Sequence, residues 1–141
     1  MSINHWIVKN LVCTLFLVVG GLNIYAQKDK YLIEAEAFQF KGKWSTDRSA
    51  DCMGSAMLRL NGGGSLDEQF DALTVVNIME EGDYNVWVRS ADYDKLPGTR
   101  LFRLSVDEKP MKESGKHGKV GFYWENAGCV QLAKKQVLLR L

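Results

Sequence analysis

A chain of 141 residues with 18 Lys and Arg against 17 Asp and Glu carries a formal charge of +1, too close to neutral for a surface built to hold nucleic acid or an anionic membrane. The length suits one domain around one core. Three cysteines and two histidines, widely spaced, exclude the ligand patterns of a zinc or other transition-metal centre.

The chain opens as a secretory signal peptide. Lys9 precedes an apolar run from Leu11 to Leu22, broken by Thr14 and Gly20-Gly21 and closed by Asn23-Ile24-Tyr25-Ala26. The run is shorter than the ~20 apolar residues of a comfortable membrane span, so a retained anchor is the alternative rather than the expectation. Cys13 is not a lipidation site: Val12 stands where a small residue is required, and most of the apolar segment follows the cysteine. Cleavage after Ala26 leaves a single module, residues 27–141, of about 115 residues. It is expected to be exported, to the periplasm, the outer surface or the medium, and free of the membrane. Losing Lys9 leaves the basic and acidic residues equal at 17 each. Cys52 and Cys129 remain, and the compartment permits a disulfide between them; two buried, unpaired thiols are the alternative.

From Tyr31 onward the apolar pattern has mostly period two, in short runs between Gly, Asp, Asn and Lys turns, which predicts an all-β antiparallel sandwich. Strands are expected over 31–38, 56–60, 73–79, 84–90, 100–106, 129–132 and 136–141. Residues 73–79 and 84–90 read as a hairpin joined by Glu80-Glu81-Gly82-Asp83. The turn Asp107-Glu108-Lys109-Pro110 ends a strand that puts Phe102, Leu104 and Val106 on one core face. The segment 31–38 is ambiguous, because Glu and Ala favour helix while its ends favour strand. As a strand it sets the carboxylates of Glu34 and Glu36 on the same face, where they need water, basic neighbours or a cation such as calcium. Gly62-Gly63-Gly64-Ser65 lacks the Lys-Ser or Lys-Thr of a phosphate loop and reads as a turn. The basic run 112–119 reads as a solvated, mobile surface loop.

Catalytic chemistry has little to draw on. His117 is the one histidine after the signal and lies in that basic loop, and there is no Gly-x-Ser-x-Gly elbow. Acid pairs drawn from Asp47, Asp51, Asp92 and Asp94 would serve a glycosidase, but any chain this acidic offers such pairs. The aromatic residues are more telling. With Tyr84, Val86 and Val88 facing the core, Asn85, Trp87 and Arg89 face away, and a tryptophan beside an arginine is a platform for the C–H face and hydroxyl rim of a sugar. Asp92, Tyr93 and Asp94 follow in the next loop, and Phe122-Tyr123-Trp124 opens another. Packing of Trp87 and Trp124 beneath loops is the alternative.

The stretches Ile33-Glu34-Ala35-Glu36-Ala37-Phe38, Lys43-Trp44, Met53-Gly54-Ser55 and Gly82-Asp83-Tyr84-Asn85-Val86-Trp87-Val88-Arg89 together resemble the jelly-roll modules of carbohydrate-binding families six and thirty-five and their galactose-binding-like relatives. The closer likeness is to the amino-terminal β-sandwich of secreted bacterial proteins labelled xanthan-lyase-like or FAD-dependent oxidoreductase. The resemblance implies a jelly roll and a structural calcium held by Glu34, Glu36 and an aspartate on a final strand. Gln136 to Leu141 resembles the penultimate strand of such a module. The aspartate-bearing strand is therefore missing, and the chain is expected to be a fragment of a longer protein. No Gly-x-Gly-x-x-Gly is present, so neither FAD nor NAD is expected to bind this segment.

The sequence thus predicts an exported, non-catalytic carbohydrate-binding or accessory module of a glycan-processing protein. Its expected ligand residues are Trp87, Arg89, Asp92, Tyr93 and Trp124, and its expected partner is a glycan or a neighbouring catalytic domain. The alternatives are a structural domain docking such a neighbour, and a small glycosidase or lyase.

Overall fold

The computed structural model describes residues 30–48, 51–52, 56–62 and 67–141. The expected signal peptide, Cys13, Met53-Gly54-Ser55 and most of the expected Gly62–Ser65 turn lie outside the described residues. Within them the protein is all-β, with 3₁₀ turns only at Ala35–Ala37 and Glu68–Phe70. The strands are β1 (Ser45–Arg48), β2 (Ala56–Arg59), β3 (Leu73–Asn77), β4 (Gly82–Ala91), β5 (Ser105–Val106), β6 (Lys109–Pro110), β7 (Phe122–Leu132) and β8 (Gln136–Arg140). No helix among the described residues is long and apolar enough to cross a membrane.

All pairings are antiparallel. One sheet runs β3-β8-β5-β6, while β4-β7 and β1-β2 form two-stranded ribbons. Alternation decides which faces meet. On β8, Val137 and Leu139 are buried and pair with Val76 and Thr74 of β3 on the same side. On the long ribbon, Tyr84, Val86 and Val88 of β4 and Ala127, Val130 and Leu132 of β7 turn inward. These two faces close on one core with Val106, Ile78, Met111, Ala72 and Phe38, a sandwich-like arrangement of sheet over ribbon. Each buried Val or Leu contributes roughly 1.5–3 kcal/mol, and Val137, 1% exposed, is the largest fully buried side chain among the described residues.

Four sequence expectations change. Residues 73–79 and 84–90 form no hairpin: β3 pairs with β8 and β4 with β7, so Glu80-Glu81 carries the chain from one layer to the other. β4 pairs over all ten of its residues with β7, where the five residues of β3 could cover only half of it. Residues 31–38 are not a strand. The Glu34 carbonyl accepts the Ala37 N–H at 3.0 Å, and the helix-favouring Glu and Ala win locally. The strand 100–106 shrinks to Ser105–Val106 plus a bridge from Phe102 to Ser114. Only Val106 of its three apolar residues is fully buried, and the turn behind it holds Asp107 and Glu108 at φ 52° and 68°, the signature of a type I′ hairpin. The basic run 112–119 is solvated only in part: Lys112, Glu113, Lys116 and Lys119 are exposed, while Ser114, 3% exposed, and Gly115 are buried.

Candidate functional site

The long ribbon carries the site. β4 and β7 stay in register from Gly82↔Leu132 to Val86↔Gly128, then shift, so that Trp87 faces Asn126 and Arg89 faces Trp124. Ala127 is the extra residue of this bulge. It is 1% exposed, and Gly128 beside it takes φ +120°, a conformation other residues adopt only with strain. The bulge reverses the alternation of β7. Counting back from Leu132 and Val130 by twos would send Asn126 and Trp124 inward; with one residue inserted, they share the outer face with Cys129 and Gln131.

On that face Trp87 is 55% and Trp124 44% exposed. They are diagonal cross-strand neighbours, a relation that sets such residues roughly 7–8 Å apart. Arg89 lies directly across from Trp124. Its guanidinium sits 4.7 Å from the centre of the Phe122 ring and donates to the main-chain carbonyl of Asp51 at 3.2 Å. The outer face therefore presents two indoles, an aromatic-backed guanidinium and the amide of Asn126.

Past the end of the ribbon the chemistry is of a different kind. Asp92 is 7% exposed. One of its carboxylate oxygens accepts the Tyr93 N–H at 2.7 Å and the Arg100 N–H at 3.4 Å; the other accepts those of Gly98 at 2.6 Å and Gly118 at 2.8 Å. Burial alone would raise its pKa, but these amide donors outweigh it and hold the carboxyl far below the usual carboxylate range. Asp92 thus ties the loop after β4 to the loop before β7. Glu125 assists, accepting the Ser90 hydroxyl at 3.1 Å and the Gly115 N–H at 2.8 Å. His117 has both ring nitrogens engaged. Nδ1 accepts the Lys119 N–H at 3.2 Å, so Nε2 carries the proton and donates to the Ser90 carbonyl at 3.1 Å, while the ring leans on Tyr123. Tyr93 lies under the Arg100 guanidinium at 5.2 Å, and Asp94 is exposed, accepting the Lys95 N–H at 3.0 Å.

The expected residues therefore divide. Trp87, Arg89 and Trp124 come together on one face, and Phe122 and Asn126 join them, which strand spacing alone did not anticipate. Asp92 is consumed by main-chain donors, and Tyr93 lies beyond the ribbon's end. Glu34 and Glu36 occupy a turn, and among the described residues no cluster of three or more His, Cys, Asp or Glu forms around them or elsewhere. Cys52 and Cys129 are free thiols, half-buried and exposed respectively, and they do not pair: Cys129 points outward from β7 on the face of Trp87. Two open depressions lie elsewhere. One, of about 520 Å³, is lined by Glu81, Asp107, Gln131 and Lys135; the other, of about 440 Å³, lies between Leu32-Ile33 and β3.

The chain matches no known protein family, curated protein or solved structure. The site is read from its own chemistry. A twisted two-stranded face with two exposed indoles, a fixed guanidinium and carboxamide donors offers flat apolar area and directional hydrogen bonds together. It encloses no cavity, so it suits the side of an extended, flat-ringed ligand rather than a small molecule held on all sides.

Proposed function

We propose that this protein is an exported, non-catalytic carbohydrate-binding module, of the jelly-roll kind its sequence resembles, and that its ligand face is the outer side of β4-β7. The observation that carries the reading is the joint exposure of Trp87 and Trp124 around Arg89 on one face. Indoles stack against sugar C–H faces, and Arg89 and Asn126 reach the hydroxyls at their rim. A glycan chain running along the ribbon would meet both rings.

Titrating the purified protein with soluble polysaccharides, followed by tryptophan fluorescence, tests this. Saturable binding that falls about tenfold in Trp87→Ala and in Trp124→Ala, about 1.4 kcal/mol each, supports the reading. The second reading, a face covered by a neighbouring catalytic domain, rests on the same exposed indoles, since a contiguous apolar patch also suits a protein partner. It predicts no response to any glycan. Calcium at Glu34 and Glu36 belongs to the proposal through the resemblance alone. Thermal unfolding with calcium and with chelator tests it, a higher midpoint in calcium being the supporting outcome.

A further inference from the structure

The outer edge of β3 carries main-chain groups that no described residue satisfies. Alternate residues of the strand face β8: Ala72 and Leu141 exchange two main-chain bonds at 2.9 Å, and the Ile78 N–H donates to the Lys135 carbonyl at 2.8 Å. By the same period of two, Leu73, Val75, Asn77 and Met79 face the opposite edge. That edge is closed at its ends. Leu73 exchanges main-chain bonds with Phe40, at 2.7 and 3.0 Å, and the Met79 N–H donates to the Tyr31 hydroxyl at 2.7 Å. Between those ends Val75 and Asn77 make no hydrogen bond on that side to a described residue, and Val75 is 41% exposed.

The chain facing this edge is open as well. It runs in the opposite direction to β3, since Tyr31 meets Met79 and Phe40 meets Leu73. Leu32 and Ile33 make no main-chain hydrogen bond to a described residue and are 69% and 40% exposed. Between the two stretches lies the groove of about 440 Å³, with Leu32, Ile33, Phe38 and Val75 on its walls and Glu34 its one charged lining residue. At the Met79 end a tyrosine side chain, not a direct main-chain bond, spans it. That suits a space for one further strand in a sheet whose strands lie about 4.8 Å apart.

We infer that this groove binds one extended segment of a partner protein, which adds to β3 as a short strand. Such a segment exchanges main-chain bonds with Val75 and Asn77 on one side and reaches Leu32 and Ile33 on the other. Its apolar side chains meet the walls, and a Lys or Arg at one end pairs with Glu34, which is in no ion pair among the described residues. The described strands are all held in sheets or ribbons, so none of them is free to enter. A second copy meets a further obstacle, because its own β3 edge lies behind its own Leu32 and Ile33. The groove belongs to the sheet and not to the β4-β7 ribbon, so the inference is independent of the glycan reading.

Amide hydrogen exchange, resolved by residue with NMR on the whole chain, tests it. The probe is a synthetic alternating Thr-Val peptide carrying one terminal lysine. Without peptide, Val75 and Asn77 are expected to exchange about tenfold or more faster than Thr74 and Val76, which face β8. Support is slowing of about tenfold or more at Val75, Asn77 and Ile33 on adding the peptide, and none with the same peptide N-methylated at alternate residues. Val75→Pro removes one outward N–H, a change an edge position tolerates, and is expected to weaken peptide binding about tenfold. Should that variant not fold, the N-methylated peptide decides the matter alone. No binding, or binding that leaves these amides unprotected, overturns the inference. So does protection of Val75 and Asn77 without peptide, which would mean that the chain itself or a second copy already fills the groove.

Discussion

The outer face of the β4-β7 ribbon and the loop hub beyond its end are built from similar residue types, yet they spend their polar groups in opposite ways. At the hub, Asp92 gives both oxygens to main-chain amides, and His117 uses both ring nitrogens. On the face, Arg89 spends one hydrogen bond, and the tryptophans around it are about half exposed. A buried polar group that is fully satisfied stabilises the fold, whereas an oriented, partly unsatisfied one beside exposed aromatic surface is available to a ligand. The comparison locates the candidate ligand groups on the face, although Asp92 has the more conspicuous chemistry.

The largest effect expected from breaking this contrast is at the hub. Asp92→Asn replaces one acceptor oxygen by an NH₂ that must face main-chain N–H groups, and removes the charge that strengthens the bonds on the other. The thermal midpoint is expected to fall further than for any substitution on the outer face. The pH dependence follows with a definite sign. The folded-state pKa of Asp92 lies below its ordinary value of 3.8, so the ionised carboxylate stabilises the fold. That contribution is complete above the ordinary value and is lost as the pH falls below it toward the folded-state pKa. Unfolding followed from pH 7 down to about pH 2 is expected to show a steep acid limb in the parent protein and a shallower one in Asp92→Asn. Equal limbs would remove Asp92 as the clasp.

Next comes the bulge that couples the two regions. Gly128→Ala puts a side chain on a residue at φ +120°, and its Cβ would lie 3.3 Å from the Met111 methyl group. The methyl end can move aside, so backbone strain is the main cost, about 1–3 kcal/mol by denaturant unfolding. If the bulge sets the face, glycan affinity drops as well, although Gly128 points inward and away from any ligand. A variant that loses stability and keeps affinity would separate the bulge from the site.

The face should show the reverse balance. Trp87→Ala and Trp124→Ala remove half-exposed rings, so stability is expected to change by no more than about 0.5 kcal/mol while affinity falls. A large loss of stability in either would mean that the ring packs structurally. Because the two rings are diagonal neighbours on one ligand, their combined effect is expected to be less than additive, which a double-mutant cycle on binding would reveal.

These regions also differ in how far the sequence exposes them. The pairing of Trp87 with Arg89 was legible because Tyr84, Val86 and Val88 keep unbroken alternation, and one apolar face fixes the other by difference. Val106 was legible for the same reason, and β8 from its β-rich apolar run Val137-Leu138-Leu139. Trp124 reads as a loop residue because Glu125-Asn126-Ala127-Gly128 interrupts the period of β7 and resembles a turn. The isolated glycine in an otherwise strand-like stretch was the available signal, since such a residue marks a bulge. The role of Asp92 was hidden for a deeper reason. Its main partners are the main-chain amides of Tyr93, Gly98 and Gly118, and the last of these is brought to it only by the fold. The paired carboxylates of Glu34 and Glu36 depend on a strand, and main-chain hydrogen bonds from Ala37 to Glu34 and from Phe38 to Ala35 close a 3₁₀ turn there instead.

The smallest effect sharpens the contrast between arginines. Arg103 holds Glu113 through two nitrogens, Nε at 2.9 Å and Nη2 at 2.7 Å, with side chains 56% and 39% exposed. Water screens such a pair, so Glu113→Gln is expected to cost about 0.2–1 kcal/mol at low salt, and the difference should shrink in 0.5 M salt. It also leaves Arg103 without its acid and without the paired tryptophans of the outer face beside it. If charge alone drew the glycan, freeing Arg103 would strengthen binding; if the ligand needs a cation placed beside exposed indoles, affinity stays unchanged. An unchanged affinity in Glu113→Gln, beside a loss in Arg89→Gln, would assign recognition to the placement of Arg89 rather than to its charge alone.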